Sequence, residues 1–185
     1  MIAPVAQRTE QRTTNPRVGG SNPLRRSGEI MGHYQFDLDY ERSRKVEERV
    51  AHRICEKFNL KKVRGSKYSS WDFQLMDGDN KIISFELKED FITQFTGNIA
   101  IEFQYRGVPS GIYRTKSDYY IYRIVRSNSG KRPIHLMFSV ETLLRLIVTR
   151  QYKNIGVGGD PGTNTLFYLF DYDIIKKYAK FLDLS

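Results

Sequence analysis

The chain has 185 residues, 39% of them hydrophobic, which is enough for one core-bearing domain with or without a tail. Its 30 Lys and Arg against 21 Asp and Glu give a net charge of +9, a balance that favours a polyanionic partner, nucleic acid first. Cys55 alone excludes an intramolecular disulfide and a cysteine-based zinc cluster, the scattered His33, His52 and His135 add no metal spacing, and no apolar run approaches a membrane span or a signal peptide; the expectation is a soluble, cytoplasmic protein.

Residues 1–30 are rich in Arg, Thr, Asn, Gly and Pro, almost without aromatic or periodic apolar positions, and predict a disordered tail. Val5-Ala6-Gln7-Arg8 and Gly20-Ser21-Asn22-Pro23 are also what a transfer-RNA gene encodes when read through its D-arm and T-arm, and the offset of 20 − 5 = 15 codons agrees with the distance between those arms. The expectation is an upstream frame, with Met31 as the true start and a virus or integrative element as the source. A genuine basic arm touching DNA phosphates is the alternative. The tail holds five Arg and two Glu, so 31–185 keeps 9 − 3 = +6.

Along 31–185, Val46, Val50, Ala51, Ile54 and Phe58 recur at three- and four-residue spacings and predict an amphipathic helix over 37–59. Residues 71–77 and 81–88 alternate like strands around Asp77-Gly78-Asp79-Asn80, which has hairpin-turn chemistry. Strands are predicted over 98–106, 118–126, 133–138 and 166–170. Helices are predicted over 139–151, with Leu143, Leu144 and Ile147 inward, and over 173–182, and the glycine-rich stretch 156–162 reads as a surface loop. This order implies an α/β domain with a central mixed sheet flanked by helices.

Strand alternation places Asp72, Gln74 and Met76 on one face, with Ser84, Glu86 and Lys88 together on a face of the next strand. A hairpin can therefore bring Asp72 beside Glu86 and Lys88. Two carboxylates and the Leu87 backbone carbonyl suit magnesium, which takes oxygen ligands and lowers the pKa of bound water, while Lys88 could position or deprotonate that water if burial lowers its own pKa. Asp79-Asn80-Lys81 has the same acid-x-Lys spacing but falls in the turn, where solvated turn chemistry explains it.

The ordered series Glu47, Trp71-Asp72, Phe85-Glu86-Leu87-Lys88, Gly97-Asn98-Ile99-Ala100-Ile101-Glu102, Pro109-Ser110-Gly111-Ile112 and Asp118-Tyr119-Tyr120, spanning 44–126, resembles the PD-(D/E)XK nuclease superfamily and its small viral or Holliday-junction-resolvase-like members. Trp71 stands where the named proline would be, and no Gln-x-x-x-Tyr follows, which separates the chain from the exonuclease branch that carries it. The resemblance implies a restriction-endonuclease-like core, magnesium or manganese, DNA cleavage, and a catalytic set of Asp72, Glu86, Lys88 and Glu47. Glu47 would face the site as an outer ligand, although Glu47-Glu48 also reads as an ordinary solvated pair.

Glu102 could organise site water or a second metal, or pair with Arg106. Ser110, Arg114, Thr115 and Lys116 could contact the phosphate backbone, or form a plain connector. The tyrosines at 119, 120 and 122 are read as sheet packing. The function expected is a metal-dependent DNA endonuclease, selective for branched structure in the manner of a junction resolvase, with DNA as partner and a homodimer as one assembly open to it. A nuclease-fold DNA-binding accessory protein without activity, and a basic structural protein of a virus particle, are the rival readings.

Overall fold

A computed structural model describes residues 31–65, 71–126, 130–159 and 163–184, with side chains from Tyr40 onward apart from residues 64 and 65. The tail expected at 1–30 lies outside them. Helix α1 (Met31–Phe58) leads into β1 (Lys61–Gly65), β2 (Phe73–Met76) and β3 (Ile82–Asp90). A short helix α2 (Thr93–Thr96), β4 (Asn98–Tyr105), β5 (Val108–Pro109), a 3₁₀ turn at Gly111–Tyr113 and β6 (Tyr119–Ile124) follow. The chain closes with β7 (Ile134–Ser139), α3 (Val140–Val148), β8 (Asn154–Gly158), β9 (Thr165–Asp171), α4 (Tyr172–Ile175) and β10 (Lys180–Leu182).

Six strands form a mixed sheet in the order β1-β2-β3-β6-β7-β10, in which only β3 and β6 run parallel. The predicted helical stripe is the reason α1 lies on it. Val46, Val50, Ala51 and Ile54 are buried against Phe73, Leu75, Phe85, Leu87 and Ile121, the odd-numbered face of the sheet. The even-numbered face, with Tyr120, Tyr122, Leu136 and Phe138, packs instead on α3 and on Ile99, Ile101 and Phe170. The α/β class with a mixed sheet and flanking helices is thus what the chain adopts.

Local chemistry sets the pairing. Asp77 Oδ1 accepts from the N–H groups of Asp79 and Lys81, and Asn80 takes a left-handed φ of 62°, so the β2/β3 turn forms as its residues predict. On the other side of β3, Asp118 Oδ2 accepts from both the N–H and the hydroxyl of Ser84 at 2.7 Å. The Asp118 N–H donates back to the Ser84 carbonyl. That exchange pins the parallel register in which Glu86 lies beside Tyr120 and Lys88 beside Tyr122.

Three expectations are corrected. The strand over 98–106 does not join the main sheet; β4 belongs to a separate four-stranded antiparallel sheet, β5-β4-β9-β8, because period-two alternation fixes a face but not a partner. Residues 173–182 make one turn of α4, a 3₁₀ turn at Lys176–Tyr178, and then β10, which adds to the open edge of β7 and buries Leu182 under α1. The glycine-rich stretch read as a loop is a strand over its first part: Gly156 and Gly158 pack on Leu169 and Phe167 so closely that a Cβ would come within 2.8 and 3.2 Å of them. Residues 160–162 of that stretch lie outside the described residues.

Candidate active site

The regular β2/β3 pairing runs from Met76↔Ile82 to Phe73↔Phe85, while β3 continues to Asp90. One residue before β2, the Asp72 N–H donates to the Phe85 carbonyl at 2.8 Å. Its carboxylate then accepts the N–H of Leu87 at 2.6 Å, so a side chain supplies the next rung of the ladder. N–H and C=O of one strand residue point to the same side, so the Leu87 carbonyl is directed at this same gap. Beyond it β3 has lost its β2 neighbour, and α1 reaches the opening.

Glu86 and Lys88 project from β3 on the even-numbered face, with Lys88 Nζ 2.7 Å from Glu86 Oε1. A cavity of about 520 Å³ opens there, lined by Arg42, Glu47, Asp72, Leu87, Lys88 and Phe91 among others. The structure therefore brings Asp72, Leu87, Lys88 and Glu47 to one opening; Glu86 does not line it and joins the group through its ion pair with Lys88.

Electrostatics report the crowding of acids. Burial, then repulsion from Glu86, pushes the Asp72 carboxyl up to about 7 despite the Leu87 hydrogen bond. Burial also raises Glu47, with Glu86 adding to the shift against the pull of Arg44. Lys88 goes the other way from the expectation. Burial works to lower it, but Glu86, Tyr120 and Asp72 outweigh that and hold the ammonium above the usual lysine range. A lysine between carboxylates is a stable cation, not a ready base.

Among the described residues, no group of three or more His, Cys, Asp or Glu side chains is set to hold a metal. The donor set still fits magnesium or manganese, which need only one or two carboxylates with water and substrate oxygens. Asp72, Glu86 and the Leu87 carbonyl are such a set, and burial next to Glu86 raises the Asp72 carboxyl, as crowded acids do.

The remaining predicted residues lie elsewhere. Glu102 is on β4, half-buried, in a second cavity that Lys88 also lines; among the described residues it has no ion pair with Arg106, whose guanidinium stacks 5.2 Å from the Tyr105 ring. Ser110, Arg114, Thr115 and Lys116 form the β5–β6 connection at the Ser84 end of β3 and line neither cavity. Arg42, exposed at the opening with its guanidinium 5.5 Å from the Phe91 ring, was not found by sequence reasoning, because it lies outside the apolar stripe and in no motif. Its place five residues before Glu47 was the one available signal. Compared with protein-family models, with curated proteins and with solved structures, the chain matches none of them.

Proposed function

We propose that the chain is a magnesium- or manganese-dependent DNA endonuclease of the PD-(D/E)XK type. The observation that carries the reading is the Asp72–Leu87 hydrogen bond, which holds a carboxylate at the opening beside the Leu87 carbonyl and the Glu86–Lys88 pair. A bound divalent cation would polarise the scissile phosphate and acidify its water. Asp72, Glu86 and the Leu87 carbonyl would hold the cation. Lys88, kept protonated by Glu86, orients the attacking water and stabilises charge building on the phosphate, in place of the base role that a lowered pKa would have allowed. Arg42 and the net charge of +9 favour the approach of a polyanion.

A second reading rests on one contact. At 2.7 Å the Glu86–Lys88 pair is also what a purely structural ion pair looks like, and a DNA-binding accessory protein would need no more. Labelled duplex, flap, single-stranded and four-way-junction DNA, incubated with and without magnesium, separate the two. The nuclease reading expects cleavage of at least one substrate that stops in chelator. Binding without cleavage in either metal favours the accessory protein.

A further inference from the structure

The second cavity, about 480 Å³, lies between the two sheets and shares Lys88 and Phe91 with the opening just described. A phosphate bound beside Lys88 would therefore have this cavity as its neighbour. The cavity walls are mostly apolar. Phe91 and Ile92 stand at its edge, 37% and 62% exposed. Phe167 pairs directly with Glu102 across β4 and β9, so ring and carboxylate share a face. Gly158 of β8 packs against one edge of that ring, where a Cβ would come within 3.2 Å of it, so the strand adds no side chain at that point. Tyr122 spends its hydroxyl on the Ala100 carbonyl at 3.0 Å and offers the cavity only its ring.

Glu102 brings a carboxylate to these walls. Among the described residues its half-buried carboxylate has no hydrogen bond or ion pair, so both oxygens are free to accept from a ligand in the cavity. It repels phosphate, so the cavity does not suit the backbone. It suits a flat group with N–H donors at its edge.

We propose that this cavity receives an unpaired guanine of the bound DNA, stacked on Phe167, with Glu102 accepting from the two adjacent N–H donors of the base. The proposal rests on the nuclease reading of the neighbouring site for its choice of DNA. Of the four bases, guanine alone presents N1–H and an amino group side by side, matching the two oxygens of one carboxylate. In a duplex, cytosine occupies that edge, so only an unstacked, unpaired guanine can offer it. Thymine places carbonyl oxygens on both sides of its single N–H and is repelled. Base stacking on the half-buried Phe167 ring supplies the sequence-tolerant part of the affinity.

The test uses the full chain in calcium, a short labelled all-thymine strand and the same strand with one central guanine, read by fluorescence anisotropy. The guanine strand is expected to bind about tenfold tighter. Glu102→Gln, close in shape, is expected to bring the ratio near one without weakening the all-thymine strand. Ala100→Leu, which narrows the cavity beside Glu102, is expected to do the same with the carboxylate intact. Equal affinity for the two strands in the wild type, a ratio that survives Glu102→Gln, or no binding of either strand overturns the proposal. Cleavage by the wild type in magnesium is scored separately: guanine preference without cleavage overturns the nuclease reading alone, and cleavage without guanine preference overturns this proposal alone.

Discussion

Asp72 Oδ2 and the Leu87 N–H, 2.6 Å apart, occupy the position of a strand-to-strand rung at the point where β2 has ended. The bond holds a carboxylate where burial first, and Glu86 second, raise Asp72 to about 7. This is a cost to the fold that a cation would relieve.

That cost predicts a stabilising loss of function. Asp72 titrates near 4 when unfolded and near 7 when folded, so between these values the folded state binds more protons and stability falls as pH rises. Asp72→Asn keeps an oxygen for Leu87 and removes the charge. In metal-free buffer at pH 8 its thermal midpoint is expected to exceed the wild type by on the order of 1–2 kcal/mol of stability, with little difference at pH 4. Millimolar magnesium is expected to raise the wild-type midpoint and not that of Asp72→Asn. A lower midpoint for Asp72→Asn at pH 8 would show that the carboxylate is a net stabiliser.

His135 gives the opposite sign. Buried in β7 and facing the positive Arg123, it is lowered to about 4. Its unfolded value is about 6.5, so the unfolded state binds more protons between the two, and the contribution, up to about 3 kcal/mol, is complete above 6.5 and lost as pH falls towards 4. Urea midpoints of the wild type and His135→Gln, compared at pH 7.5 and 4.5, isolate it. The wild type should lose more stability on acidification than the variant; parallel losses would place the acid sensitivity elsewhere.

Two glycines predict a contrast. Gly111 has φ 48°, and a Cβ there would sit 2.3 Å from the Glu102 carbonyl, whereas Gly107, at φ 81°, has open space. Gly111→Ala is expected to cost about 2–4 kcal/mol, from strain and backbone clash together, and Gly107→Ala about 1 kcal/mol from strain alone. Thermal denaturation measures both. Equal losses would mean that the loop moves freely off β4.

How much of this was legible follows from what each signal encodes. Val46, Val50, Ala51 and Ile54 announced α1 because its burial repeats at the helical period, and Asp77 to Asn80 announced the hairpin through turn chemistry that is local. The co-location of Asp72, Glu86 and Lys88 came from the same two local rules. Pairing partners are set by distant contacts, so neither the second sheet nor the strand at Lys180–Leu182 could be read from alternation. The sign of the Lys88 shift was missed for a related reason. Burial is visible in an apolar neighbourhood, but a carboxylate at 2.7 Å is visible only in three dimensions.

The central claim is that Lys88 acts on the reaction and not merely on Glu86. The direct measurement is the rate of DNA cleavage in magnesium by the wild type, Glu86→Ala, Lys88→Ala and Lys88→Arg, with manganese binding followed on the same samples and folding checked by circular dichroism. Lys88→Ala is expected to lose at least about 100-fold in cleavage while still binding manganese, and Glu86→Ala to lose both. Lys88→Arg, cationic but with its charge spread over a planar fork, is expected to recover little, because its geometry does not fit a site built for an ammonium. Near wild-type turnover by a folded Lys88→Ala would contradict the account and leave the Glu86–Lys88 contact as a structural ion pair.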